Sequence, residues 1–345
     1  MGEQKSRKIP GVYKINEIAL ITMKASTRTT YGSPDVITVK EVEKPAPKPN
    51  EILVRVHATT VNRTDCGALW GKPFLFRFFI GLFRPRNFIT GTDFAGIIEA
   101  VGEKVTAFKP GDRVWGFDDN TLPSHAEYMA LDCRKPIMRM PTGFTFEQAA
   151  ASAEAAHYAF NFINKVKLEP GNKVLVNGGT GGIGSAAIQF LKSMGIYVTA
   201  VCHSQYNDRV QALGPDRVIY YDKEDFTKDG DLYDFVFDAV GKSSFKTCTR
   251  ILKDKGIYIS SELGPGAENL YLPLFTFIKG GRRVVFPLPM DISKSLAYIT
   301  DLAEKGKFKP LIDRAYTLDQ IKEAFEYVNS GQKIGNVIIK IADEF

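Results

Sequence analysis

Cysteine is scarce in this chain and poorly placed for metal binding. The 345 residues hold four, Cys66, Cys133, Cys202 and Cys248, and no two form a C-x-x-C pair. This excludes a disulfide framework and a cysteine zinc cluster, and a reducing, cytoplasmic setting is expected. No block of single-signed charge is present. The formal net charge is +6, with Lys and Arg interleaved among Asp and Glu, so nucleic acid is not an expected partner, whereas an anionic cofactor suits the balance. No apolar h-region follows the polar, basic start from Met1 to Lys8, so no secretory signal is expected, and residues 1–22 read as a leader or disordered segment. Long apolar runs are missing too. The most apolar stretch, Phe74 to Phe83, is interrupted by Arg77 and falls well short of the roughly 20 residues of a spanning helix. A packed loop or short helix is expected there, buried or forming an apolar substrate wall, with a peripheral membrane contact as the alternative.

What is present points to two domains, since 345 residues exceed one ordinary core. Three prolines stiffen Pro45 to Asn50. Glu51 to Ala58 then alternates apolar and polar residues, as a half-buried strand does. The first 140 or so residues read as short strands punctuated by Gly and Pro, a partly closed β-rich sheet. The pattern changes after Pro141. With Thr145 as N-cap, one alanine-rich helix is expected through Phe162. From Lys173 onward, apolar strands (173–177, 196–201, 234–238, 256–260) alternate with helices, which implies a parallel sheet covered on both faces. A helix over 318–328 and a strand over 335–341 are expected to return to the first domain.

The second domain opens with Gly178-Gly179-Thr180-Gly181-Gly182-Ile183-Gly184 between a strand and a helix. It contains G-x-G-x-x-G at Gly179, Gly181 and Gly184, and the flanks supply the context a dinucleotide site requires. Gly179 is expected to form the tight turn, Gly181 to admit the diphosphate, and Gly184 to let helix and sheet approach. The helix N-terminus would then offer amides and partial positive charge to phosphate. The next strand ends in Cys202-His203-Ser204-Gln205-Tyr206-Asn207-Asp208-Arg209. No acid stands at that strand end to select a ribose 2′-hydroxyl. His203, Ser204, Asn207 and Arg209 could instead donate to a 2′-phosphate. NADPH is therefore the expected cofactor, with NADH as the alternative.

Gly91-Thr92-Asp93-Phe94-Ala95-Gly96 through Val101-Gly102, followed by Lys109-Pro110-Gly111-Asp112-Arg113-Val114, resembles the G-H-E-x-x-G…V-G…K-x-G-D-R-V run of medium-chain dehydrogenases. The glycine turn with Gln189, Ala212-Leu213-Gly214 with Tyr221, and the ending Gly335 to Ile339 fit the same family. The chain is most similar to its quinone oxidoreductase branch, over about Met23 to Ile341. The resemblance implies an α/β architecture: a GroES-like β-rich catalytic domain (23–145 and 286–345) and a Rossmann doubly wound parallel-sheet domain (146–285). The cofactor residues expected are Gly179, Thr180, Gly181, Gly182, Ile183, Gly184, Ser204, Asn207, Arg209, Tyr221, Val240 and Gly241. A homodimer through an edge strand is also implied.

The departures from the family's zinc-dependent members carry most weight. Asn62 stands where they carry a ligand Cys, and Thr92 where they carry the His, with Asp93 in place of the adjoining Glu. The third position, around Ala153-Glu154-Ala155-Ala156, has no Cys. Amide and hydroxyl groups replace thiolate and imidazole poorly, so no metal is expected. His57 and His125 are isolated and read as structural or exposed. Without zinc, reduction of a quinone or an α,β-unsaturated carbonyl is easier than oxidation of an alcohol, because the conjugated carbonyl accepts the charge. Asn62 is the leading site candidate, followed by Asp65 and Thr92. A zinc-independent alcohol or aldehyde oxidoreductase and a catalytically weak NADPH-binding regulatory protein remain alternatives.

Overall fold

The computed structural model describes residues 21–288 and 290–342. Most of the expected 1–22 leader lies outside them. The first strand is β1 (Thr22–Thr27), paired antiparallel with β2 (Thr38–Glu43). There follow β3 (Glu51–Val61), α1 (Arg63–Trp70), α2 (Arg77–Ile80), β4 (Asp93–Val101), β5 (Arg113–Phe117), β6 (Tyr128–Asp132) and β7 (Ile137–Arg139). Two helices, α3 (Phe146–Ala151) and α4 (Glu154–Ile163), lead into β8 (Lys173–Asn177), α5 (Gly182–Ser193), β9 (Tyr197–Cys202), α6 (Asn207–Gln211) and β10 (Arg217–Tyr220). Then come β11 (Tyr233–Asp238), α7 (Phe245–Cys248), β12 (Leu252–Ser260), α8 (Glu268–Lys279), β13 (Arg283–Val285), α9 (Ile292–Glu304), β14 (Ile312–Thr317), α10 (Ile321–Asn329) and β15 (Asn336–Lys340).

Strands β8 to β13 form one parallel sheet in the order β10-β9-β8-β11-β12-β13. This is the doubly wound order whose direction reverses between β8 and β11, so a crevice opens beyond their carboxyl ends. A second sheet runs β14-β15-β3-β4-β5-β7, with β6 also paired to β3. The return of β15 beside β3 places the last strand in the first domain.

β3 is covered on both sides, unlike the half-buried strand expected. It is central, hydrogen-bonded to β15, β4 and β6, and helix α3 packs across it. Ile52, Val54 and Val56 face one apolar cluster, while His57 stacks on Phe146 at 4.2 Å. His125 is buried as well, its ring nitrogens bonded to the Thr60 carbonyl and the Thr90 hydroxyl.

The single helix expected from Thr145 to Phe162 is two. Thr145 caps α3 with Gln148 in a reciprocal capping box, as its spacing demands. The helix then breaks at Ser152 and Ala153, and α4 starts afresh at Glu154. Helix α3 packs on β3, β4 and β15, whereas α4 packs on α5 and α9. The break thus separates a helix that packs on the strands of the second sheet from one that packs on helices of the parallel-sheet domain. One apolar core spans it, from Ala58 and Trp115 through Phe146 and Phe162 to Val174 and Phe190.

The stretch from Phe74 to Phe83 is a 3-10 turn (Phe74–Phe76) followed by α2. It is not buried as expected: Ile80 is covered, but Phe74, Leu75, Phe78, Phe79 and Phe83 are between 55% and 90% exposed. Among the described residues no helix is long and apolar enough to cross a membrane.

Candidate active site

The glycine turn lies at the carboxyl end of β8, at the reversal point of the sheet. Its one left-handed residue is Gly178, with φ of 89°, so the tight turn belongs to Gly178 and not to Gly179. A side chain on Gly178 would strike Val240, at 2.5 Å. Gly184 has the expected packing role, since a Cβ there would lie 2.2 Å from the Gly178 carbonyl. Gly181 is the N-cap of α5. No side chain caps that helix and no acid stands in its first turn. An unfilled cap, with space above Gly181, suits a diphosphate. Gly182 approaches Ala155 of α4 and Asn336 of β15, and Gly335 N–H donates to the Thr180 carbonyl at 2.6 Å. Ile183 packs against the shared core. Val240 and Gly241 follow β11 on the other side of the reversal point, their amides donating to Asp238.

The far end of the expected cofactor site is less open to a 2′-phosphate than the sequence indicates. Asp222, just past β10, accepts from the Ser204 amide at 2.7 Å and from its hydroxyl at 2.6 Å. The Ser204 hydroxyl holds this carboxyl below its ordinary range, so an anion faces Ser204 at neutral pH. The expectation of no repulsion there is corrected by an acid from the neighbouring strand. Asn207 is engaged by Tyr220 and Asp208. Arg209 and Tyr221 are exposed, with Tyr221 edge-on to His203 at 5.6 Å.

The expected catalytic residues converge on one buried polar cluster. Asn62 is the N-cap of α1. Its side-chain Oδ1 accepts from the Asp65 main-chain amide at 2.8 Å, and the Asp65 carboxyl accepts from the Asn62 main-chain amide at 3.0 Å. The Asn62 side-chain amide donates to Thr92 at 2.9 Å and lies 3.3 Å from both Thr60 and Asp93. Asp93 gathers further donors from Thr59 and Thr60. Burial lifts Asp93 to about 6 despite those donors. Burial, with Asp93 nearby, raises Asp65 well above the usual carboxylate range. Asn62 and Asp65 are 3% exposed and Thr92 not at all, so all three build the wall behind the site.

Next to this cluster stand groups that the sequence reading did not single out. Half-buried Thr64, on the first turn of α1, donates to Glu154 at 2.8 Å. Glu154 begins α4, and burial pushes its carboxyl up to about 7. One turn later Tyr158, also half-buried, donates to Asp119 at 3.4 Å and lies within reach of Thr64. Burial and neighbouring carboxylates raise its phenol well above the usual range. Burial likewise lifts Asp119 to about 6. Lys333, two residues before the Gly335 contact, donates to the Gly335 carbonyl at 2.8 Å. Burial lowers its ammonium against the opposing pull of Glu154. Arg63, beside Asn62, pairs across the domains with Glu262 at 3.6 Å. The arrangement thus sets two hydroxyls and a carboxyl that titrates near neutrality beside the glycine turn.

These residues do not fit a zinc ion. The Asn62 amide nitrogen is a committed donor to Thr92, and Thr92 offers only a hydroxyl. Among the described residues no group of three His, Cys, Asp or Glu is arranged to hold a metal.

Comparison with known proteins agrees with this architecture. Residues 48–157 match the family model described as alcohol dehydrogenase GroES-like domain, and residues 213–339 match that described as zinc-binding dehydrogenase. The 2-methylene-furan-3-one reductase of Solanum lycopersicum is 29% identical over 331 residues, covering 92% of this chain and 79% of that protein. The chloroplastic NADPH-dependent alkenal/one oxidoreductase of Arabidopsis thaliana is 29% identical over 329 residues, with the same coverage. The solved structure of the quinone oxidoreductase from Coxiella burnetii superposes with a TM-score of 0.82 at 26% identity, covering 93% of this chain and 100% of that one. The chain thus carries a GroES-like domain and a dehydrogenase domain of the alcohol dehydrogenase type, and over most of its length it is similar to quinone oxidoreductases and enone reductases.

Proposed function

We propose that this protein is an NADPH-dependent reductase that delivers hydride to the electrophilic carbon of a quinone or an α,β-unsaturated carbonyl without zinc. One observation carries the reading. The Thr64 and Tyr158 hydroxyls, backed by Glu154, stand where α4 packs against the dinucleotide turn, and the family's ligand positions hold Asn62 and Thr92. The names of the tomato, Arabidopsis and Coxiella relatives point to the same acceptor classes.

Bound reduced nicotinamide supplies the hydride. When hydride adds to the conjugated carbon, the displaced π pair moves to the carbonyl oxygen. Thr64 turns its one hydrogen from Glu154, and Tyr158 its hydrogen from Asp119, to that oxyanion, and such held donors favour the charge as it develops. Glu154, near 7, holds and releases a proton at neutral pH, and Thr64 connects it to the site. Asn62, Asp65, Thr92 and Asp93 fix the start of α1 and thereby the Thr64 hydroxyl. Arg63 and Lys333 add positive charge for the diphosphate. Arg209 and Tyr221 serve the 2′-phosphate, with Asp222 moderating the preference over NADH. A second copy of the chain is the proposed partner at β13, a three-residue edge strand beside α8, whose Leu274, Phe275, Phe277 and Ile278 are more than 60% exposed.

Steady-state assays with NADPH and NADH against quinones, enones, enals, aldehydes and saturated alcohols test this reading. Turnover of quinones or enones is expected. Turnover confined to saturated alcohols, or stoichiometric zinc needed for activity, would overturn it.

A further inference from the structure

The knuckle between α1 and β4 carries a surface that the proposed reaction does not use. No Asp or Glu occurs between Asp65 and Asp93, while Lys72, Arg77, Arg84 and Arg86 all fall there. The same stretch exposes Phe74 (61%), Leu75 (69%), Phe78 (55%), Phe79 (66%), Phe83 (90%) and Phe88 (51%). Scattered exposed apolar residues are ordinary, but a group of six on one short segment is not.

The backbone beneath them is held in place. Arg77 Nε donates to the Gly71 carbonyl at 3.0 Å, and its guanidinium lies over the Tyr31 ring at 4.5 Å. The Tyr31 hydroxyl donates to the Gly81 carbonyl. Gly81 is left-handed, with φ of 123°, and its position admits no Cβ, which would lie 2.1 Å from the Arg84 carbonyl. Ile80 and Gly81 are buried and anchor the knuckle from inside. Lys72, Arg84 and Arg86 are exposed around the aromatic residues. Arg86 also donates to the Phe79 carbonyl at 3.2 Å, which ties its position to the apolar tip.

An anchored apolar segment interspersed with exposed cations, with no acid in its sequence neighbourhood, matches the interface of an anionic bilayer. Aromatic side chains enter the boundary between headgroups and acyl chains, while Lys and Arg attract the negative surface. The α8 face differs, because it borders an open sheet edge that another copy can extend. We infer that residues 72–88 dock this protein peripherally on anionic lipid membranes. Because α1 joins this knuckle directly to Thr64, docking would also bring the site close to acceptors dissolved in the bilayer. That last clause rests on the proposed reductase reading; the docking does not.

The test is flotation of the full chain with vesicles of phosphatidylcholine alone or with phosphatidylglycerol added. The wild type, Phe78→Asp/Phe79→Asp and Arg84→Glu/Arg86→Glu would be compared, with NADPH binding and thermal unfolding as checks on folding. The wild type is expected to bind anionic vesicles at least about tenfold more strongly than neutral ones, and more weakly as salt rises. The Phe variant should lose about tenfold or more on anionic vesicles, and the Arg variant should lose the preference for them. Failure of the wild type to float with anionic vesicles, or equal binding by the folded Phe variant, would overturn the inference. So would a fall in oligomeric mass in that variant with no vesicle binding by the wild type, which would assign the patch to a second copy. Reductase activity is read separately on a water-soluble quinone, so failure there leaves the docking result standing.

Discussion

The turn after β8 works with main-chain groups of consecutive residues, Gly178 to Gly184, whereas the pocket beside it works with side chains from β3, α1, β4 and α4. The turn needs the absence of side chains: a Cβ on Gly178, Gly182 or Gly184 would strike a neighbouring side chain or carbonyl, and Gly181 leaves its cap open. The pocket needs particular side chains, because its buried carboxyls are tolerable only while donors surround them. Damage to the turn should therefore remove cofactor and fold together. Damage to the pocket should leave cofactor binding intact.

The largest effect is expected from Gly184→Val. Its Cβ would press on the Gly178 carbonyl, and an overpacked backbone contact of this kind costs about 3 kcal/mol. Thermal unfolding and dinucleotide titration should fall together; wild-type affinity in this variant would break the contrast. Next, Asp93→Ala strands the Thr60 amide and the hydroxyls that now reach it, at a cost of about 2–3 kcal/mol. Below the lowered melting temperature, dinucleotide affinity should stay within about threefold of the wild type.

The acid pocket should also set the pH dependence of stability. Glu154 rises from 4.5 to about 7 on folding, and Asp93 and Asp119 also move up, each to about 6. A raised folded value means that the stabilising balance is whole below the unfolded value and is lost as pH climbs through the folded one. Denaturant melts should therefore weaken between about pH 4 and pH 7.5, by on the order of 3 kcal/mol for Glu154. Glu154→Gln should flatten that part of the slope and shift the pH profile of acceptor turnover. An unchanged profile would separate Glu154 from the proton path. The smallest effect is expected from Asp222→Asn. Removing the charge beside Ser204 should raise the preference for NADPH over NADH by about three- to tenfold in kcat/KM, at roughly 1 kcal/mol.

Legibility in the sequence follows the same division. The glycine turn was readable because its residues are adjacent in the chain, and the Thr145 cap because the amide it accepts from is only three residues on. The meaning of Glu154 was not readable. It is one acid in an alanine-rich run, and its partner Thr64 is 90 residues away. Asn62 was found by position, but its commitment to capping α1 depends on Thr92 and Asp65 closing around it. The break at Ser152 and Ala153 carries no Gly or Pro to announce it. Asp222 lay beyond the window of the β9 strand end, brought to Ser204 by the parallel pairing of β10. The Phe-rich knuckle misled in the other direction: apolar composition predicts burial, but among the described residues no element covers its outer side chains.

The most direct test of hydride delivery beside a hydroxyl pocket is to follow the label from NADPH carrying deuterium at both nicotinamide C4 positions. The protein would be supplied with a cyclic enone, and the product analysed by mass spectrometry and NMR. One deuterium at the carbon β to the carbonyl, with a solvent proton at the α carbon, is the predicted result. Deuterium on the carbonyl carbon, or an unlabelled product, would contradict it.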